Sequence, residues 1–382
     1  MRISLPAALP AALPAAVLAG CTAVLLLQPA AAGAPAGPAP RYRASAGGGS
    51  VTALPLPGGR AMPPSTTRPF ELLGVGWDGP GGALAGGSVR VRTRDAATGI
   101  WTGWHTLEAD GEDGPDTAST DAGPHSATAP LWTGRSDGVA VEVTPGPGGL
   151  PAGLRVELVD PGGGAAPVTA RTLPARPSDG HQAPRPAIIT RAGWGADESL
   201  RDPDFEYTGP VREVFVHHTA SATAYDCADA PRVIRAIYQY HVQTNGWRDI
   251  GYNFLVDRCG TVYEGRAGGA DLPVHGAHTL GFNTDSAGVA AIGTYVTDLP
   301  PPALLDGLAR TAAWKLGLTG QDPAGTTELT STSDGSLYPK GTAVTFDAIS
   351  GHRDAFATEC PGSALYPLLP TIRSHAVYLR TH

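Results

Sequence analysis

Two histidines and one cysteine carry the densest chemical signal in this chain. His217 ends the apolar run Glu213-Val214-Phe215-Val216, and His352 follows the short run Ala348-Ile349-Ser350-Gly351. Cys360 lies eight residues beyond His352, in Thr358-Glu359-Cys360-Pro361-Gly362. Imidazole nitrogen and thiolate sulfur are both good zinc ligands, and a catalytic zinc typically keeps three protein ligands with a fourth position open. Two strand-end histidines and one loop cysteine meet that count. A structural finger would need two close ligand pairs, which this spacing does not supply. Spacing alone argues weakly, because isolated histidines more often serve packing than a metal.

Cysteine usage adds a second argument. The 382 residues contain four cysteines, at 21, 227, 259 and 360. Cys21 falls in an N-terminal stretch with a basic start at Arg2, an apolar run to Leu27 and a small-residue site at Ala30-Ala31-Ala32, the pattern of a secretory leader over 1–32. Leu18-Ala19-Gly20-Cys21 also matches a lipidation box, which would anchor the chain at Cys21. The apolar run continues past that cysteine through Leu27, which favours cleavage over lipidation. A retained span is a further alternative, weakened by the prolines. If Cys21 leaves with the leader, three cysteines remain, an odd number in an exported chain. Cys227 and Cys259 flank a helix-like and a strand-like segment and are free to pair. Cys360 would then be left as an inert buried thiol, a nucleophile or a metal ligand.

The elements that must hold these residues fall into two regions. Residues 33–64 are rich in Gly, Ala, Pro and Ser and read as a disordered linker. From 65 to 165 short alternating runs such as Val89-Arg90-Val91-Arg92 and Val139-Ala140-Val141-Glu142-Val143 sit between turn signals, predicting a small all-β, sandwich-like accessory domain. Trp101 and Trp104 could form an exposed ligand platform there, but packing at the core or an edge is the commoner fate of such aromatics. A second proline-rich linker covers 166–186. From 187 to 382 strands and helices interleave, predicting an α/β domain with a mixed central sheet flanked by helices. Its helices cover Pro231–Gln243, with Asp229 as N-cap, the Leu304–Ala312 region and the Leu365–Ala376 region. The net charge of −8 and the absence of any basic stripe argue against a nucleic-acid partner.

The ordered segments of the second region resemble the peptidoglycan recognition protein family, also described as type 2 N-acetylmuramoyl-L-alanine amidases. The matching stretches are Ile189-Thr190-Arg191-Ala192-Gly193-Trp194-Gly195-Ala196, Val216-His217-His218-Thr219-Ala220 and Asp249-Ile250-Gly251-Tyr252-Asn253-Phe254. They continue with Val262-Tyr263-Glu264-Gly265-Arg266, Gly276-Ala277-His278-Thr279-Leu280-Gly281-Phe282-Asn283 and the segments around His352 and Cys360. A β-rich domain ahead of the amidase is similar to secreted actinobacterial members. The resemblance implies His217, His352 and Cys360 as Zn2+ ligands, Tyr252 and Thr358 as catalytic residues, and His278 and Asn283 as positions along the groove for the glycopeptide. It also implies a Cys227–Cys259 disulfide. Arg266 and Arg353 read as fold-stabilising charges, and His218 as a residue that supports the ligands or serves packing, since adjacent strand side chains point to opposite faces.

What the resemblance implies is a secreted zinc hydrolase acting on bacterial peptidoglycan. Its reaction would cleave the amide between the lactyl group of N-acetylmuramic acid and L-alanine of the stem peptide. Zinc-activated water would attack the carbonyl, with the Tyr252 hydroxyl stabilising the oxyanion. No Glu general base stands beside the ligands, so the proton donor to the leaving amine is unassigned. The Ala267-Gly268-Gly269 stretch after Arg266 leaves the third stem-peptide residue open.

Overall fold

The computed structural model describes residues 41–44, 48–79, 84–108, 114–115, 125–163, 172–175, 182–221 and 223–381. The expected leader over 1–32, including Cys21, lies outside the described residues. Among those described, no helix is long and apolar enough to cross a membrane.

The N-terminal half is a β domain. Its strands are β1 (Arg41–Ala44), β2 (Ser50–Pro55), β3 (Ala61–Asp78), β4 (Ser88–Asp95), β5 (His105–Leu107), β6 (His125–Ala127), β7 (Leu131–Thr144) and β8 (Arg155–Asp160). Antiparallel pairing links them in the order β1-β2-β8-β3-β7-β4-β5, with β6 also on β3. The long β3 shifts register against β7 three times, and such irregularities let one strand bend and change partners along its length. The pleat sends Leu73, Val75 and Trp77 into the domain's own core, with Val89, Val141 and Val156. Leu72 and Val159, paired on adjacent strands, belong instead to a cluster shared with the C-terminal half.

The linker expected over 33–64 is corrected from Arg41 onward. β1, β2 and the start of β3 are hydrogen-bonded into the sheet, and Val51 is buried against Val159. Short apolar alternation is hard to see within a Gly- and Pro-rich composition. Trp101 and Trp104 are half-buried, with the guanidinium of Arg92 over both rings and that of Arg90 over Trp104.

The second half begins within the expected linker over 166–186. There β9 (Thr172–Leu173) pairs with β10 (Ile188–Ile189), while Arg185 is buried and ion-paired to Asp271. An edge position tolerates the neighbouring prolines. The remaining elements are α1 (Arg191–Trp194), β11 (Glu213–His218), α2 (Ala230–Gln239), β12 (Phe254–Val256), β13 (Val262–Glu264) and β14 (Ser286–Ala291). After these come α3 (Pro302–Gly317), β15 (Thr326–Thr330), β16 (Ala343–Asp347), β17 (Ile349–Gly351) and α4 (Leu369–Thr381). The central sheet runs β17-β11-β14-β12-β13-β10-β9 and is mixed, with β11 parallel to both neighbours and β12 antiparallel to β13.

Helices cover both faces of this sheet. α3 and α4 join one core through Leu304, Leu308, Leu369 and Ile372 against Val214, Val216 and Val289. α2 joins the other through Val233, Ile234 and Ile237, against Leu255 and Ala290. Pro231 suits the first turn of α2, where its missing N–H costs nothing. Asp229 occupies the N-cap position but makes no side-chain cap bond, because a short 3₁₀ turn over Cys227–Asp229 precedes the helix. Past Gln239 the helix widens into a π turn over Tyr240–Thr244. The β15–β16 hairpin has no counterpart among the sequence-based expectations; its Leu329, Val344 and Phe346 pack on Phe215 and Phe282.

Candidate metal centre

Parallel pairing brings the two histidines together. Val216 on β11 lies opposite Gly351 on β17, so His217, still within β11, and His352, just past β17, come side by side. Their ring centroids are 4.6 Å apart. The chain then turns back on itself. The Arg353 N–H donates to the Cys360 carbonyl at 3.0 Å, and the Thr358 hydroxyl oxygen accepts the Cys360 N–H at 2.9 Å. The side chain of Arg353 also bonds the carbonyls of Glu359 and Cys360, while its guanidinium stacks on Tyr366.

This loop places the Cys360 Sγ 3.7 Å from His217 Nδ1 and 3.3 Å from the His218 N–H, which donates to it. One ligand atom each from His217, His352 and Cys360 lie within 4.8 Å of one another, and all three residues are buried. Burial, reinforced by neighbouring His218, lowers the His217 pKa to about 3, so its imidazole is neutral and has a lone pair to offer. Two imidazoles and one thiol on this scale suit a zinc-type ion in donor chemistry and in number.

The surrounding residues fix these side chains. His278 Nδ1 lies 3.2 Å from His217 Nε2, on the ring edge away from Cys360. Such an outer contact selects the tautomer of a ligand histidine and holds its plane. His278 is fully buried, and burial, then His217, hold its pKa well below the ordinary histidine value. It can reach this place because Gly288 on β14 has no Cβ; one there would overlap the imidazole. His278, expected along the glycopeptide groove, is thus buried here directly against a candidate ligand. Asn283 is also fully buried. Its Oδ1 accepts the N–H groups of His278 and Thr279 at 2.8 and 2.9 Å, and its Nδ2 donates to the Gly114 carbonyl at 3.0 Å.

Tyr252 is buried with its ring 5.5 Å from that of His217. Arg191 and Asp249, from two separate motifs, form a buried ion pair at 3.1 Å. Asp249 in turn accepts the Ile250 and Ala267 N–H groups, which holds the turn leading to Tyr252. Arg266 donates to the Ile250 and His275 carbonyls, in keeping with a fold-stabilising part. Cys227 and Cys259 are joined in a disulfide, and Cys360 is a free, buried thiol.

Several residues near the site have no counterpart in the sequence-based expectations. His241, on the π turn, accepts the Gly251 N–H at 3.1 Å and packs on Trp247 and Tyr252. The Glu108 carboxylate of the β domain lies 3.9 Å from His218 Nε2, and Thr128–Pro130 share a cavity with His218 and Cys360. The β-domain neighbours lie roughly 90 residues or more from His218, a separation that gives no local signal.

A family model described as N-acetylmuramoyl-L-alanine amidase matches residues 207–363. One described as Rv3811 N-terminal galactose-binding domain-like matches residues 37–178. The chain is 33% identical over 183 residues to peptidoglycan recognition protein 1 of Bos taurus, across 48% of this chain and 82% of the relative. It is 36% identical over 192 residues to N-acetylmuramoyl-L-alanine amidase of Homo sapiens, across 49% of this chain but only 28% of that protein's length. Among solved structures, Drosophila PGRP-LB wild-type is 29% identical, covering 48% of this chain and 92% of that chain at a TM-score of 0.38. Through its C-terminal half, the chain belongs to the family of peptidoglycan recognition proteins and N-acetylmuramoyl-L-alanine amidases.

Proposed function

We propose that this protein is an exported zinc-dependent N-acetylmuramoyl-L-alanine amidase, which hydrolyses the lactyl–L-alanine amide of bacterial peptidoglycan. The observation that carries the reading is the convergence of His217, His352 and Cys360, buried within 4.8 Å of one another and beside Tyr252. A zinc ion held by these three residues supplies Lewis acidity and a water activated near neutral pH. The chain's own residues do the rest. His278 holds His217 in one tautomer. The Tyr252 hydroxyl donates to the oxyanion as the carbonyl becomes tetrahedral, and is the candidate proton source for the leaving amine. The Thr358 oxygen accepts the Cys360 N–H, which leaves its own proton available to orient the attacking water or the oxyanion. The disulfide fits a chain that matures in an oxidising compartment.

A recognition protein without catalysis is the alternative, since relatives carry that name. Cys360, Tyr252 and Thr358 together favour hydrolysis, because recognition alone has no need of a thiolate ligand. The test incubates purified protein with muropeptides, with and without a chelator, and reads the products by mass spectrometry. Free stem peptide only in the zinc-loaded sample is expected; intact muramyl–alanine bonds there would remove the enzyme reading. Cys360→Ser is expected to lose both zinc and turnover, whereas full zinc occupancy in that variant would show the third ligand to be misassigned.

A further inference from the structure

The space beside the candidate ligand Cys360 is closed in part by the other half of the chain. Ala127, Thr128 and Pro130 of the β domain face His218, Trp247 and Cys360 across a cavity of about 30 Å³. Sites for small organic ligands occupy roughly 300–1,000 Å³. A sugar bearing a peptide does not fit in that cavity, and the wider cleft beside it, about 530 Å³ and lined by Glu108, Ala129 and Ala220, stops short of Cys360. Asn283, expected along the glycopeptide groove, donates from its amide to the Gly114 carbonyl, and both residues are buried.

The contact is built rather than grazing. The Tyr240 hydroxyl donates to the Thr128 carbonyl at 2.9 Å, and Tyr240 is fully buried. Thr128 is pinned to β3 from both sides: its N–H donates to the Val75 carbonyl, and its hydroxyl accepts the Val75 N–H. Beneath this, Leu72, Trp132 and Val159 share one apolar core with Ile234, Ile237 and Tyr240. Arg232 pairs with Glu71 across the seam. The two halves approach so closely at Gly74 that a Cβ there would run into the Tyr240 hydroxyl.

We propose that the β domain is a built-in inhibitor of the metal site. Docked, it holds Gly114 and Thr128–Pro130 over the pocket, and the chain takes up muropeptide only in the fraction of molecules whose seam is open. Apparent affinity for substrate is then reduced by that fraction, so loosening the seam raises activity without touching a catalytic group. What is inhibited rests on the hydrolase reading above; the occlusion itself does not.

Full-length protein carrying Gly74→Val, which wedges the seam, or Glu71→Arg, which sets like charges against each other, tests this. The first readout is the rate at which Cys360 is alkylated by iodoacetamide in chelator-treated protein, followed on the Cys360 peptide by mass spectrometry. At least a tenfold faster reaction than in wild type is expected in both variants, with muropeptide turnover by the zinc-loaded proteins rising in the same order. Alkylation as fast in wild type as in variants with native near-UV circular dichroism would overturn the proposal. If Gly74→Val does not fold, Glu71→Arg and the milder Tyr240→Phe carry the test on the same criteria. Variants that expose Cys360 and retain muropeptides, yet cleave none, would uphold the cap and sink the hydrolase reading instead.

Discussion

Tyr252 and Lys315 illustrate what single side chains do in this molecule. Tyr252 packs beside His217 and has one polar atom to offer a developing oxyanion. Tyr252→Phe keeps the ring and removes that atom, so kcat should fall about 10²–10³-fold with zinc content unchanged. A loss confined to KM would place Tyr252 in binding alone. Lys315, near the end of α3, is buried with its ammonium donating to the Ala270 and Leu272 carbonyls at 2.8 and 2.7 Å. Burial lowers its pKa from 10.5 to about 8, against the pull of Asp271. A native pKa below the unfolded one means that folding disfavours the charged form. The penalty, about 3 kcal/mol, is therefore complete below pH 8 and is relieved as pH climbs toward the unfolded value. Urea unfolding should show wild type gaining stability relative to Lys315→Met between about pH 8 and about pH 10. A flat difference across that window would mean that the two carbonyls hold the ammonium without strain.

Among the elements, α2 is held at its start by a covalent tether. The Cys227–Cys259 bond joins the turn before α2 to the tip of the β12–β13 hairpin, across a sequence separation of 32. A loop of that length corresponds to about 3–4 kcal/mol in the chain-entropy description. Replacing both cysteines by serine should lower unfolding free energy by that order while leaving the three candidate ligands in place, since neither cysteine belongs to the metal cluster. Zinc stoichiometry measured beside the denaturation curve checks both halves of the statement. The parallel pairing of β11 and β17 is the element-scale feature that the site depends on most. A one-residue slip there would send one histidine to the opposite face.

For the whole molecule, the shared core predicts that the two halves unfold together. Leu72 belongs by sequence to the β domain, yet it is fully buried in the cluster that includes α2. Leu72→Ala should cost about 2–5 kcal/mol and lower the stability of both halves together. Calorimetry should show a single transition that shifts as a whole. Two transitions of which only the first moves would show the seam to be too weak to couple them.

Local periodicity was enough to identify much of this. The alternation of β4 and β7, the strand ending at His217 and the faces of α2, α3 and α4 are all short-range patterns, set by which side chains must turn inward. His217, His352 and Cys360 were legible as a ligand type, and the ordered motifs around them tied that type to a family. Other features became visible only in three dimensions. The contact of His278 with His217 is possible because Gly288, on a neighbouring strand, leaves room for its ring. The strands β1, β2 and β9 emerged from stretches whose Gly and Pro content reads as linker, because pairing partners far along the chain supply their hydrogen bonds. The β domain's place over the metal site was decided last and least locally. It depends on Leu72, Gly74 and Thr128 meeting Tyr240, a complementarity between surfaces more than a hundred residues apart that no window of sequence contains.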